Sequence, residues 1–158
     1  MKKILTADKS ETFLNETIGE CYHSLKGAAE EALQKYAIPC QIRELAKTKG
    51  KIKILDVCFG IGYNSAMAIS VALEENPECE IEVIGLEYDP LIINKIQEVN
   101  PDISFYPNYK QLTPQKLEFS QGKVKVKVLL GDANETAKQL AENHFDAVFF
   151  DPFSPKTA

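Results

Sequence analysis

Lys53-Ile54-Leu55-Asp56-Val57-Cys58-Phe59-Gly60-Ile61-Gly62-Tyr63-Asn64 runs from a short apolar segment through two glycines into the start of a helical pattern. So short an apolar run reads as a buried strand, and the missing side chains at Gly60 and Gly62 let backbone approach a ligand closely. A lone G-x-G is equally the mark of a tight turn, so the neighbouring segments have to decide. Downstream, strand and helix keep alternating. Ile81 to Leu86 is a second strand, ending at Glu87-Tyr88-Asp89-Pro90, where Asp89 caps and Pro90 opens a helix through Leu91, Ile92, Ile96 and Val99. Residues 101–122, with Pro101, Pro107, Pro114 and Gly122, read as a long connection with a helical turn around Pro114 to Leu117. Val124 to Leu130 is a third strand, and Lys123, Lys125 and Lys127 on alternate positions suit a sheet edge. A helix from Asn134 to about Asn143 and a fourth strand, Asp146 to Phe150, complete the pattern. Such alternation predicts an α/β fold, a Rossmann-like parallel sheet with covering helices over residues 51–158.

Upstream, Lys3 to Asp8 and Glu11 to Glu16 read as a β-hairpin around Asp8-Lys9-Ser10. Gly19 to Ser24 is a polar connector, and Leu25, Ala28, Ala29, Ala32, Leu33 and Tyr36 recur at helical spacing until Pro39. Lys47 to Lys51 is a basic turn. No Pro/Gly/Ser linker follows, so residues 1–50 are an N-terminal extension packed on the sheet domain.

The 158 residues suit one domain, and 44% apolar with 26% charged residues excludes disordered, collagen-like and coiled-coil classes. No apolar run approaches the roughly 20 residues that cross a bilayer, and Asp8, Lys9 and Glu11 interrupt any signal-peptide core, so a cytoplasmic protein without membrane contact is expected. A net charge of −5 argues against bulk affinity for phosphate backbones, which leaves only a local basic face for nucleic acid. Cys21, Cys40, Cys58 and Cys79 form no C-x-x-C pair, and no metal is expected.

In an open parallel sheet, ligands bind outside the carboxyl ends of the strands where strand order reverses. Gly60 and Gly62 follow the first strand. Glu87 ends the second, 27 residues beyond Gly60 and near the roughly 20-residue offset of a ribose-binding acid. Asp132, after the third strand, accepts from an adenine amino group or caps the next helix. Asp151 closes the fourth in an aromatic, proline-rich turn. A nicotinamide site fits less well, because the third glycine of G-x-G-x-x-G falls at Ser65.

This order of turns and acids resembles the class I S-adenosylmethionine-dependent methyltransferases. The resemblance implies Gly60 and Gly62 against the cofactor's amino-acid portion, Glu87 on the ribose hydroxyls, and Asp132 with Ala133 at adenine. Longer strings are more specific. Phe59-Gly60-Ile61-Gly62-Tyr63-Asn64 is similar to the F-G-x-G-x-N signature of the MnmC-like methyltransferases, which finish the 5-methylaminomethyl group on the wobble uridine of certain tRNAs. Phe145 to Lys156 is similar to that family's segment after the fourth strand, with Pro152 where glycine is common, and Ser10-Glu11-Thr12, Gly19-Glu20-x-Tyr22-His23-Ser24 and Gly27-Ala28 are similar to stand-alone members. Asn64 thereby joins the implied cofactor set. The family domain continues past the fourth strand, so a truncated, stand-alone form without the oxidase domain is expected, and no flavin.

The resemblance implies N-methylation of a 5-aminomethyl group on tRNA. Methyl transfer from a sulfonium is a direct displacement, in which alignment carries most of the catalysis. An ammonium must first lose a proton, and Asp151 is placed to orient the amine and accept it. Phe153 stacks on a base or packs in the core, and Tyr22 and His23 are candidates for the wall of the substrate site. Competing readings are a non-catalytic adenosyl-cofactor-binding protein and a methyl- or aminopropyltransferase acting on a small amine. An unfinished edge at the fourth strand, with Phe149 and Phe150 uncovered, predicts self-association.

Overall fold

The computed structural model describes residues 1–155. It opens on the expected hairpin, β1 (Lys2–Leu5) pairing antiparallel with β2 (Glu11–Asn15). Part of the segment read as a connector instead forms a third strand, β3 (Glu20–Cys21), against β2. Two residues carry too little alternation to register in a sequence. The hairpin turn also reaches forward: Asp8 accepts from the Glu30 amide at 3.0 Å and the Ser10 hydroxyl oxygen from the Ala28 amide at 3.0 Å. These side chains satisfy the free amides at the start of α1 (Ala28–Glu31), whose own cap, Gly27, has no side chain to offer. The helix continues in wider π-type turns over Ala32–Ala37. A further helix, α2 (Ile42–Thr48), leads into the segment read as a basic turn; it buries only Ile42 and Ala46, too few for a legible period.

The alternating region builds β4 (Lys51–Val57), α3 (Tyr63–Glu75), β5 (Glu80–Glu87), α4 (Pro90–Lys95), β6 (Glu118–Gln121), β7 (Val124–Leu130), α5 (Ala133–Thr136) and β8 (Ala147–Phe150). The sheet order is β6-β7-β5-β4-β8; β7, β5, β4 and β8 are parallel and β6 is antiparallel to β7. Three expectations change here. β7 is not an edge, because β6, formed by a stretch read as connection, turns at Gly122 and covers it. The helical turn lies at Tyr106–Gln111, not 114–117. After α5, a single tight turn over Ala137–Gln139 ends the segment expected to be helical to 143. As expected, Asp89 caps α4, accepting from the Leu91 amide at 2.8 Å, with Pro90 in the first turn.

The chain steps from β4 to β5 to β7 on one side and then returns to lay β8 on the other side of β4. That reversal puts the carboxyl ends of β4, β5 and β8 around one crevice. One face of the sheet, with Ile52, Ile54, Val83, Val126 and Phe149, shares a single core with Phe13, Ala28, Ala32 and Ile42 from the extension. The other face exposes Lys125, Lys127, Val148 and Phe150. Phe149 is therefore buried, and only Phe150, 65% exposed, is uncovered as expected. Among the described residues no strand pairs with the outer edge of β8, and no helix is long and apolar enough to cross a membrane.

Candidate active site at the strand carboxyl ends

A cleft of about 1150 Å³ opens at this crevice. Its floor comes from the strand ends, with Gly60, Glu87, Gly131 and Asp151; Tyr22 and His23 of the extension stand opposite. The volume exceeds the roughly 300–1,000 Å³ of ordinary small-ligand pockets, so there is room for a cofactor and an acceptor group together.

The two glycines of the β4–α3 turn separate. Gly60 (φ +58°) lines the cleft, and a Cβ there would meet Tyr22 at an ordinary 3.5 Å. Gly62 (φ +79°) faces the core, where a Cβ would stand 2.5 Å from the Tyr109 ring and 2.8 Å from that of Phe59. It does not line the cleft. Its hydrogen-sized side chain lets Phe59 and Tyr109 stack, with ring centroids 6.0 Å apart, over the start of α3. Phe59 needs a second gap, supplied by Gly85 in β5, where a Cβ would lie 2.4 Å from it.

Glu87 is buried at the end of β5. One carboxylate oxygen accepts from the Gly60 amide at 2.7 Å, the other from the Tyr88 and Asp89 amides at 2.9 Å each. Burial nevertheless raises its pKa above the ordinary glutamate range. Of the about four acceptor positions of a carboxylate, three are taken by backbone; one is left, where the resemblance implied two ribose hydroxyls. Asp132 caps α5, accepting from the Asn134 amide at 2.8 Å, and its carboxylate does not line the cleft. Its neighbours Gly131 and Ala133 do.

Asp151 lines the cleft at the end of β8. The Asn64 side-chain amide donates to it at 3.1 Å, and its own backbone N–H donates to the Val57 carbonyl at 3.3 Å. The Tyr36 hydroxyl lies beside the same carboxylate and keeps its proton, first through burial and then through this neighbour. His23 is buried, bonded through Nδ1 to the Thr12 hydroxyl at 3.1 Å and stacked on Tyr63. Burial pulls its pKa down to about 4 against the charges of Asp151 and Glu31, so the ring is neutral at pH 7. Phe153 meets Tyr22 edge to face, centroids 4.9 Å apart, and the Ser154 amide donates to Glu20 at 3.0 Å. The two motifs at opposite ends of the chain thus close on each other across the cleft. Lys156, the last residue of the second motif, lies outside the described residues.

Six carboxylates line the cleft (Glu16, Glu20, Glu31, Glu87, Asp89, Asp151), and among the described residues no lysine or arginine does. The Met1 amino group is the one cation among the described residues that line it, and it pairs with Glu16 at 2.9 Å. Burial, followed by the Glu87 and Asp151 charges, pushes the Cys58 thiol up to about 11, which leaves it protonated at neutral pH. Beneath the turn lies Asp56, fully buried, with neither oxygen in an ordinary hydrogen bond among the described residues. Burial pushes its pKa up to about 7; Ser65 offsets this in part, and the Asp151 and Glu87 charges add to it. Sequence reasoning passed over Asp56 and Tyr36. The signal for Asp56 was present, a carboxylate inside an apolar strand, whereas nothing local marks Tyr36. No group of three His, Cys, Asp or Glu side chains among the described residues is arranged to hold a metal ion.

The profile of the S-adenosyl-L-methionine-dependent methyltransferase family matches residues 96–158. The chain is 26% identical over 160 residues to an uncharacterized Methanocaldococcus jannaschii protein, covering 96% of this chain and 41% of that one. It is 25% identical over 158 residues to the tRNA 5-methylaminomethyl-2-thiouridine biosynthesis bifunctional protein MnmC of Burkholderia thailandensis, covering 91% and 24%. The crystal structure of MnmC2 from Aquifex aeolicus superposes with a TM-score of 0.84 at 38% identity, over 98% of this chain and 50% of that one. The chain therefore spans half or less of the length of these relatives.

Proposed function

The chain belongs with the S-adenosyl-L-methionine-dependent methyltransferases of the MnmC type, and from that premise we propose that it methylates the primary amine of a 5-aminomethyluridine at the tRNA wobble position. The observation that carries this reading is the cleft at the switch point, where the charged side chains among the described residues are all carboxylates. A sulfonium cofactor and an ammonium acceptor are both cations, and both are favoured there. A dinucleotide would bring a pyrophosphate to a site that no lysine or arginine lines among the described residues, over a helix start that Phe59 and Tyr109 already cover.

S-Adenosylmethionine supplies, when bound, an electrophilic methyl group on sulfur. Gly60 offers backbone without a side chain for its close approach, and Glu87 offers the one acceptor position left after its three backbone bonds. Gly131 and Ala133 border the same cleft. Asp151 orients the acceptor and takes a proton from the ammonium directly or through water; once that proton has passed to solvent, the ionised carboxylate stabilises the cation that forms on nitrogen. Pro152 contributes no N–H there, and its carbonyl is a further acceptor. Tyr22 and Phe153 form an aromatic corner for the acceptor base.

The acidity of the cleft also favours a second reading, a small free amine as acceptor. Methyl transfer is to be followed with tRNA carrying the aminomethyl group, tRNA lacking it and spermidine, alongside calorimetry with S-adenosylhomocysteine and NAD. The proposal expects homocysteine-adenosyl binding, no NAD binding, preference for the aminomethyl tRNA, and Asp151→Asn slower by about 10²–10⁴-fold with cofactor binding kept. Preference for spermidine overturns the tRNA assignment. Binding of NAD in place of the adenosyl ligand overturns the methyltransferase reading itself.

A further inference from the structure

We propose that Asn64 is a positioning residue for Asp151 rather than a cofactor contact. The inference rests on the reading of Asp151 as the carboxylate beside the transferred methyl. Asn64 stands in the first turn of α3, is 5% exposed and does not line the cleft. Its Nδ2 donates to Asp151 Oδ2 at 3.1 Å. An ionised carboxylate only accepts, so the amide is held in one of its two flipped orientations. Its carbonyl Oδ1 is left buried without a partner among the described residues. A leucine of similar size would avoid that cost, and what the asparagine adds is a buried donor to a carboxylate, a charge-assisted bond of the stronger kind.

The Asp151 amide is bonded to Val57 at 3.3 Å, so backbone and side chain of this residue are both tied to the β4–α3 unit that carries Gly60. The end of β8 is thereby registered against the cofactor turn. Asn64 takes one acceptor position on Oδ2 and the Tyr36 hydroxyl stands beside the same carboxylate, so the acceptor amine is offered the positions that remain on the cleft side.

Sinefungin, an adenosyl analogue with an amine on carbon in place of the methylated sulfonium, reads this contact without any acceptor. The test compares its affinity with that of S-adenosylhomocysteine for the full chain by calorimetry. Asp151→Asn should lower the sinefungin-to-homocysteine affinity ratio by about tenfold, the scale of one charge-assisted bond made neutral. Asn64→Leu should lower it by about three- to tenfold while S-adenosylhomocysteine affinity stays within about twofold, and the double variant should match Asp151→Asn alone. If the leucine variant lacks a cooperative thermal transition, Asn64→Ala is read in the same way. Weaker S-adenosylhomocysteine binding with the ratio intact would make Asn64 a cofactor contact and overturn the inference. A double variant falling below Asp151→Asn does the same. A ratio indifferent to Asp151→Asn instead overturns the reading of Asp151, and the inference with it.

Discussion

Gly60 and Gly62 sit two residues apart in one turn, both with positive φ, and answer to different surroundings. Around Gly60 lie the cleft, the Glu87 carboxylate and the Tyr22 ring; around Gly62 lie Tyr109 and Phe59 of the core. The turn therefore has a cleft side, where a missing side chain leaves room for a ligand, and a core side, where it leaves room for packing. The same division holds for the acids. Glu87 and Asp151 reach the cleft with donors bonded to them, whereas Asp56 lies sealed under the turn with no ordinary hydrogen bond. A sequence motif names the backbone conformation required and is silent on which side each residue serves.

The sharpest way to break this comparison is Gly62→Ala. A methyl group driven to 2.5 Å from Tyr109, on a backbone that L-residues resist, should lower stability by about 2–4 kcal/mol. A urea titration reads this as a lower midpoint. An unchanged midpoint with weakened cofactor binding would move Gly62 to the cleft side.

Asp56 tests the core side through pH. Its pKa is raised, to about 7, so the folded state holds this proton more tightly than the unfolded chain does. Stability from this group is accordingly largest below the unfolded value and is lost as pH rises from about 4 to about 7, at up to about 1.4 kcal/mol per pH unit. Asp56→Asn should flatten that slope and raise stability at pH 8 by on the order of 2 kcal/mol. Chemical denaturation of both proteins at pH 5 and pH 8 measures it, and parallel slopes would mean that the carboxylate is solvated or paired.

The smallest effect belongs to Gly60→Ala. Its methyl meets Tyr22 at 3.5 Å and the Cys58 carbonyl at 3.9 Å, both ordinary contacts, so stability should fall by just the roughly 1–2 kcal/mol of a positive φ. S-Adenosylhomocysteine affinity should fall about tenfold, or about 1.4 kcal/mol, because the methyl enters the cleft. A loss of stability matching that of Gly62→Ala would erase the distinction between the two glycines.

What the sequence determined by itself was the succession of elements and the acids at their ends. Strand periodicity, the Asp89-Pro90 helix start and the spacing of Gly60, Glu87 and Asp151 are local or one-dimensional properties, and local chemistry is enough to specify them. Short elements escaped it, among them β3, β6 and α2, because two to seven residues stabilised by partners distant in the chain carry little pattern of their own. The burial of Phe149 beside the exposure of Phe150 depends on which face of β8 the extension's core covers, and neither residue encodes that. Only the tertiary structure decided the closing of Tyr22 on Phe153 and of Glu20 on Ser154, the bond from Asn64 to Asp151, and the packing of Gly62 against the core. Each of these depends on side-chain direction and on a neighbour supplied by another segment, and direction is settled only when the segments pack.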